Sequence, residues 1–171
     1  MFSNAWIGLG GNLGNVHEAM VKALYLLDNR LDSYILAVSS IYKTAPWGQV
    51  EQPCFLNACA KIATTLEPEA LLQCCLDIEK EMKRDRIQKW GPRTIDLDLL
   101  LYGNREISIP GRLILPHMHI TQRAFVLIPL AEISPDILVK GRRVADLANQ
   151  CYNEKVRKLI FKNPWWKTPC L

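Results

Sequence analysis

The chain has 171 residues, of which 49% are hydrophobic and 22% charged, and its net charge is +4. A chain of this size forms one well-cored domain, burying roughly 70% of its unfolded surface without any disulfide staple. Its longest apolar runs, at 99–102 and 125–131, are far shorter than the roughly 18 residues that span a bilayer. The opening MFSNAWIGLGG has neither a basic region nor a long apolar core, so secretion and membrane insertion are not expected and the expected location is cytoplasmic. Cys54, Cys59, Cys74, Cys75, Cys151 and Cys170 form no CxxC pair, and most sit in apolar contexts, which reads as reduced thiols.

No repeat, low-complexity stretch or Ser/Gly linker divides the chain, so the expectation is one domain over 1–171, with 136–171 as a C-terminal extension. Residues 5–9 (AWIGL) read as a short buried strand ended by Gly10 and Gly11. Asn15 and Glu18 have the spacing of a capping box, and Met20, Ala23, Leu24 and Leu27 follow at helical spacing. A second strand is predicted over 34–42, closed by the turn-rich TAPWGQVEQP. In a third strand over 55–63, Leu56, Ala58, Ala60 and Ile62 share the core face, and Phe55, Asn57 and Cys59 point the other way.

Pro68 opens a second helix whose buried stripe is Leu71, Cys75, Ile78 and Met82. A fourth strand is predicted over 94–102, and a third helix starts near Arg123 in spite of Pro129. This order predicts an α+β fold, the ferredoxin-like β-α-β-β-α-β sandwich, with helices on one face of an antiparallel sheet. Beyond Pro135 lie a short amphipathic piece, 144–147, and a basic, Trp-rich tail.

The strand TIDLDLLLY carries the most chemistry. Ile95, Leu97, Leu99 and Leu101 fall on the core face, and Asp96 and Asp98 on the opposite one, roughly 6.6 Å apart along the strand. Two such carboxylates suit Mg²⁺ carrying a polyphosphate; taken alone they read more readily as a solvated sheet face. The preceding KEMKRDRIQKWGPR, with six basic and two acidic side chains, brings Arg84, Arg86, Lys89 and Arg93 up to them. Basic loop, indole and paired acids together favour a phosphate-transfer site.

Phe55 could stack on a flat ring, or be covered by a loop, and Asn57 could offer a ring edge both a donor and an acceptor. GLGGNLGN lacks the Walker lysine and the dinucleotide spacing, so it reads as a tight turn. His117 and His119 have no second ligand pair for zinc, and a histidine near Arg123 suits a phosphate contact better.

GLGGNLGN, SSIYKTAPWG, QPCFLNA, IEKEMKRDR, KWGPRTIDLDLLLYG and LPHMHITQRAFVLIPL, in this order, resemble the 6-hydroxymethyl-7,8-dihydropterin pyrophosphokinases of folate biosynthesis, from about Ala5 to Pro135. The resemblance implies an ATP-dependent diphosphotransferase that moves the terminal diphosphate of ATP to the hydroxymethyl group of a reduced pterin and leaves AMP. It implies two Mg²⁺ ions on Asp96 and Asp98, and a pterin between Phe55 and Phe125 with its edge on Asn57 and the backbone around Thr44 and Trp47. It also implies Arg84 and Arg93 on the moving phosphates, and His117 and Arg123 on other phosphate oxygens. Glu79, Arg86, Trp90, Leu99 and Arg112 would lie around the nucleotide. Gly11 departs from the pattern, standing where a serine is usual.

A non-enzymatic RNA-binding module on the same fold would suit the basic charge and exposed aromatics. It would not account for two acids on a ligand face, and an RNP1-like strand is missing. The expected partners are therefore ATP and 6-hydroxymethyl-7,8-dihydropterin, with no nucleic acid and no membrane, and the expected state is a monomer.

Overall fold

The computed structural model describes residues 1–46, 51–82, 93–151 and 155–167. β1 (Ser3–Gly11) leads into α1 (Val16–Asp28), which starts as the Asn15/Glu18 spacing predicts. Asn15 Oδ1 accepts the Glu18 N–H at 3.2 Å, and its Nδ2 donates to Glu18 Oε2 at 2.9 Å. β2 (Ser33–Val38), β3 (Tyr42–Thr44) and β4 (Phe55–Thr64) follow, then α2 (Pro68–Glu81) and β5 (Asp96–Tyr102). All neighbours in the main sheet are antiparallel; β4 lies between β1 and the collinear pair β2 and β3, and β5 flanks β1. This is the ferredoxin-like order that the sequence predicts.

The single strand expected over 34–42 is broken. Val38 pairs with Ala60 and Tyr42 with Asn57, so the β2–β3 side carries one residue more than β4. At the break Ser39 substitutes for the ladder: its N–H donates to Cys59 O and its Oγ accepts the Cys59 N–H, each at 2.9 Å. A second irregularity changes β5. Trp6 pairs with Leu101 and Ile7 with Leu99, leaving Leu100 as a bulge. Leu101 is therefore not on the core face with Leu97 and Leu99; it joins Leu100 on the other side.

One face of the sheet packs on α1 and α2. Ile7, Leu9, Ala60, Ile62, Leu97 and Leu99 meet Met20, Leu24, Leu71, Cys75 and Ile78 there. The expected one-sided arrangement holds for these two helices only. α3 (Ala124–Ile133) and α4 (Val144–Gln150) cover the opposite face, where Leu127 and Leu130 pack with Trp6, Cys59, Leu100 and Leu101. Cys59 does turn from the first core, as its alternation predicts, but it is buried in a second one. Alternation assigns a side chain to a face; it does not say whether that face is covered.

Two hairpins decorate the frame: β6 (Ile107–Ile109) with β7 (Leu113–Leu115), and β8 (Leu138–Val139) with β9 (Arg142–Arg143). The tail returns to the sheet through β10 (Val156–Lys158), which pairs with β3. Trp165 follows, 3% exposed, with its Nε1 donating to Ser39 O at 2.9 Å. Among the described residues no helix is long and apolar enough to cross a membrane. Cys54, Cys59, Cys74 and Cys75 are free thiols, and burial pushes the Cys59 and Cys75 thiols well above their ordinary value. Cys170 lies outside the described residues.

Candidate active site

The C-terminal end of β1 and the N-terminal ends of β4, β5 and α3 converge on a cavity of about 380 Å³. Gly10 forms part of its floor. A Cβ there would sit 3.3 Å from Asn57 Oδ1, so the missing side chain gives Asn57 room beside β1. Asn57, 5% exposed, donates from Nδ2 to Thr44 Oγ1 at 3.0 Å. That bond uses one amide hydrogen and leaves the other, with Oδ1, for a ligand edge.

Across the floor, Asp96 and Asp98 line the same cavity, with side chains 16% and 37% exposed. Each faces an arginine, and each arginine lies over a phenylalanine. Arg93 Nε is 3.3 Å from Asp96 Oδ2, an ion pair without the alignment of a hydrogen bond, and its Cζ is 5.3 Å from the Phe55 centroid. Arg123 Nη1 is 3.7 Å from Asp98 Oδ2, and its Cζ is 5.7 Å from the Phe125 centroid. Two Phe–Arg–Asp sets thus share one cavity.

Asn12, 4% exposed, fixes the first set. Its Oδ1 accepts the Arg93 N–H at 3.0 Å, while Asn12 N and Leu13 N donate to Arg93 O. Its Nδ2 donates to Gln52 Oε1 and Pro53 O, each at 3.0 Å, just ahead of Phe55. Gly11 makes this closure possible, since a Cβ there would be 2.5 Å from Thr94 O. The glycine that departs from the family pattern is therefore required by the local packing of this chain.

His117 follows β7 and donates its N–H to Leu100 O at 2.9 Å. Burial, with the Arg123 charge next, lowers its imidazole from 6.5 to about 4, while Asp96 acts weakly the other way. The ring is therefore neutral near pH 7. Its Nδ1 accepts the His119 N–H at 3.3 Å, which assigns the ring proton to Nε2 and makes that atom a donor.

Asp96 and Asp98 are a hard-oxygen donor set on one strand face, of the type that holds a divalent cation with phosphate oxygens and water. Among the described residues no group of three His, Cys, Asp or Glu forms a metal site, so those residues would contribute only part of the shell.

A family model for 7,8-dihydro-6-hydroxymethylpterin-pyrophosphokinase matches residues 6–135. The chain belongs to this family. It is 42% identical over 144 residues to the 2-amino-4-hydroxy-6-hydroxymethyldihydropteridine pyrophosphokinase of Methylorubrum extorquens, spanning 84% of this chain and 90% of that one. The like-named protein of Pseudomonas aeruginosa is 39% identical over 160 residues, spanning 93% and 98%. Among solved structures, a Plasmodium falciparum HPPK-DHPS triple mutant with pteroate superposes with a TM-score of 0.70 at 16% identity. That likeness concerns the fold; it spans 88% of this chain and 43% of the other.

Of the site residues that the pyrophosphokinase resemblance implies, the cavity brings together Thr44, Phe55, Asn57, Arg93, Asp96, Asp98, Arg123 and Phe125. Others do not line it. Leu99 is 3% exposed in the first core. Arg112, in the β6–β7 turn, pairs with Glu69 at 3.1 Å. Glu79 is 3% exposed, and its Oε1 accepts the Leu97 N–H at 2.7 Å, closing the outer edge of β5. Trp47, Arg84, Arg86 and Trp90 lie outside the described residues.

Sequence reasoning missed Gln52, Gln122 and His119 as cavity-lining groups, and Asn12 as the tie between segments. Gln52 lies in an irregular stretch and Gln122 ends a one-turn 3-10 helix, and neither carries a periodic signal. Asn12 was legible only as part of a glycine-rich turn.

Proposed function

We propose that the chain transfers the terminal diphosphate of ATP to the hydroxymethyl group of 6-hydroxymethyl-7,8-dihydropterin, releasing AMP, as a step of folate biosynthesis. The observation that carries the reading is the pair of Phe–Arg–Asp sets on one cavity beside the Asn57–Thr44 pair. Such a cavity offers ring faces, a ring-edge donor and acceptor, two carboxylates and two guanidiniums together.

In this reading the pterin lies between Phe55 and Phe125, with its edge on Asn57 and the Thr44 backbone; Trp47 belongs to the same proposed contact. Arg93 and Arg123 exchange carboxylate oxygens for phosphate oxygens, as bidentate guanidiniums do readily. His117 offers Nε2–H to a phosphate oxygen and, being neutral, adds no charge. Arg84 belongs with Arg93 on the moving phosphates, and Glu79, Arg86, Trp90, Leu99 and Arg112 remain the proposed surroundings of the nucleotide. For Glu79 and Leu99 that role is indirect, since both are buried.

An ATP-dependent transfer of this kind takes a divalent cation. We assign Mg²⁺, as two ions, to Asp96 and Asp98, where it would supply charge neutralisation of the polyphosphate. The protein's own share is positioning and electrostatic support. It holds the hydroxymethyl oxygen near the β-phosphorus and steadies the charge that builds on the departing AMP.

The rest of the proposal is one domain over 1–171 acting as a cytoplasmic monomer, with neither nucleic acid nor membrane as partner. The β10–β3 pairing supports placing 136–171 within that domain. The test is AMP release with and without reduced pterin, each with Mg²⁺ and with chelator. Release that needs both pterin and metal is expected. Release of ADP, or AMP release indifferent to pterin, would overturn the reading.

A further inference from the structure

Glu132 lies near the far end of α3, away from the cavity, yet its carboxylate gathers groups from separate elements. Its Oε1 accepts from Ser40 Oγ at 2.8 Å and Ser40 N at 3.1 Å, and its Oε2 accepts from Tyr42 OH at 2.6 Å. Lys158 Nζ on β10 is 3.5 Å from Oε1. Burial alone would raise the carboxyl's pKa, but the Tyr42 and Ser40 hydrogen bonds and the Lys158 charge outweigh it and hold it below the ordinary value.

What this carboxylate holds is β3. That strand is three residues long, is preceded by the Ser39–Ile41 break and ends at Thr44, which lines the cavity and bonds to Asn57. α3 has an anchor of its own, since Trp6 Nε1 donates to Ser134 Oγ at 2.8 Å just past the helix. Its apolar side, with Leu127 and Leu130, is also packed in the second core. Losing the Glu132 contacts would therefore leave β3 paired with β4 and β10 but untied from α3, while α3, with Arg123 and Phe125, stays in place.

We infer that Glu132 is a positioning residue for pterin recognition, acting through Ser40 and Tyr42 to set where Thr44 stands against Asn57. The inference rests on the proposed pterin site and adds to it a remote determinant of pterin affinity. It separates the two substrates: pterin binding depends on the brace, and nucleotide binding does not.

The experiment measures dissociation constants for reduced pterin and for an ATP analogue, with Tm, in the full chain and in Glu132→Ala, Glu132→Gln and Tyr42→Phe. Glu132→Ala should weaken pterin binding at least tenfold, with ATP-analogue binding within about twofold. Glu132→Gln keeps an acceptor for Ser40 but presents an amide N–H to another donor, so it should fall between Glu132→Ala and the unaltered chain. Tyr42→Phe removes one hydroxyl from a strand that keeps its pairing. It should weaken pterin binding about threefold or more, and it carries the test if Glu132→Ala does not fold. In the double variant, Tyr42→Phe should add little to Glu132→Ala. Equal losses for both substrates that track Tm, or unchanged pterin affinity in Tyr42→Phe and the folded Glu132 variants, would overturn the inference. Absence of pterin binding by the unaltered chain would instead overturn the functional reading beneath it.

Discussion

Asp98 is the more exposed of the two cavity acids, its side chain 37% exposed against 16% for Asp96, so its chemistry can be tested apart from its structural role. Asp98→Ala should lower kcat by about a hundredfold or more, near 2.7 kcal/mol, while Tm changes little. A steady-state assay at saturating Mg²⁺ beside a melting curve checks both, and turnover within a few-fold of the unaltered chain would remove Asp98 from the metal site. His117 gives a pH-dependent counterpart. Its imidazole titrates near 4 in the folded chain against an ordinary 6.5, so between those values the unfolded chain binds a proton that the folded one does not. Stability from this residue is complete above about pH 6.5 and is lost as pH falls towards 4. Tm measured from pH 7 to 4 should fall less steeply in His117→Gln. At this scale the acids were legible in the sequence, because alternation alone puts Asp96 and Asp98 on one face. The guanidinium–ring contacts were not: one forms where Arg93, at the entry to β5, meets Phe55 of β4, and the other between Arg123 and Phe125 at the entry to α3, and no helical or strand period records either.

Elements were read well where one period and one partner decide them. α1 and α2 have single buried stripes, and in β1 and β4 every second residue, Ala5, Ile7 and Leu9 and then Ala58, Ala60 and Ile62, faces the first core. The misreadings come from tertiary adjustments. Ser39 takes over ladder bonds in the middle of an expected strand, and a bulge at Leu100 moves Leu101 to the second core. Asn12 belongs to this scale because it joins elements rather than forming one. Removing its side chain leaves the Arg93 N–H without its acceptor and Pro53 O without its donor, which costs about 0.5–1.5 kcal/mol for each of these part-buried hydrogen bonds. Asn12→Ala should lower Tm and also kcat/KM for pterin, since Arg93 and the approach to Phe55 loosen together. Asn12→Asp keeps the acceptor for Arg93 but turns a second oxygen towards Pro53 O, so it should be nearly as damaging. Wild-type kinetics in Asn12→Asp would show that the Pro53 contact contributes nothing to the site.

For the molecule as a whole, the tail is the part that periodicity could not place, and it closes the sheet. Without β10, β3 would be an open edge strand of three residues directly behind Thr44, the kind of edge that pairs with other chains. β10 covers it, Leu159 N donates to Ile41 O at 2.8 Å, and the chain then runs to α1. There Phe161 stacks on His17, with ring centroids 4.7 Å apart and planes 2° from parallel, and Trp165 enters the first core. The family match ends at residue 135, so conservation of the reaction does not by itself require this strap. The packing does. Trp165 is 3% exposed and uses its indole N–H on the carbonyl of Ser39, at the break that separates β2 from β3. Trp165→Ala should cost about 3–5 kcal/mol, the range for a buried aromatic cut to alanine, read as a fall in urea midpoint at constant m. Trp165→Phe retains most of the apolar contact but leaves Ser39 O without its donor, so it should cost about 1–3 kcal/mol. If Trp165→Ala costs less than about 1 kcal/mol, the tail is an attachment to a domain that is complete without it.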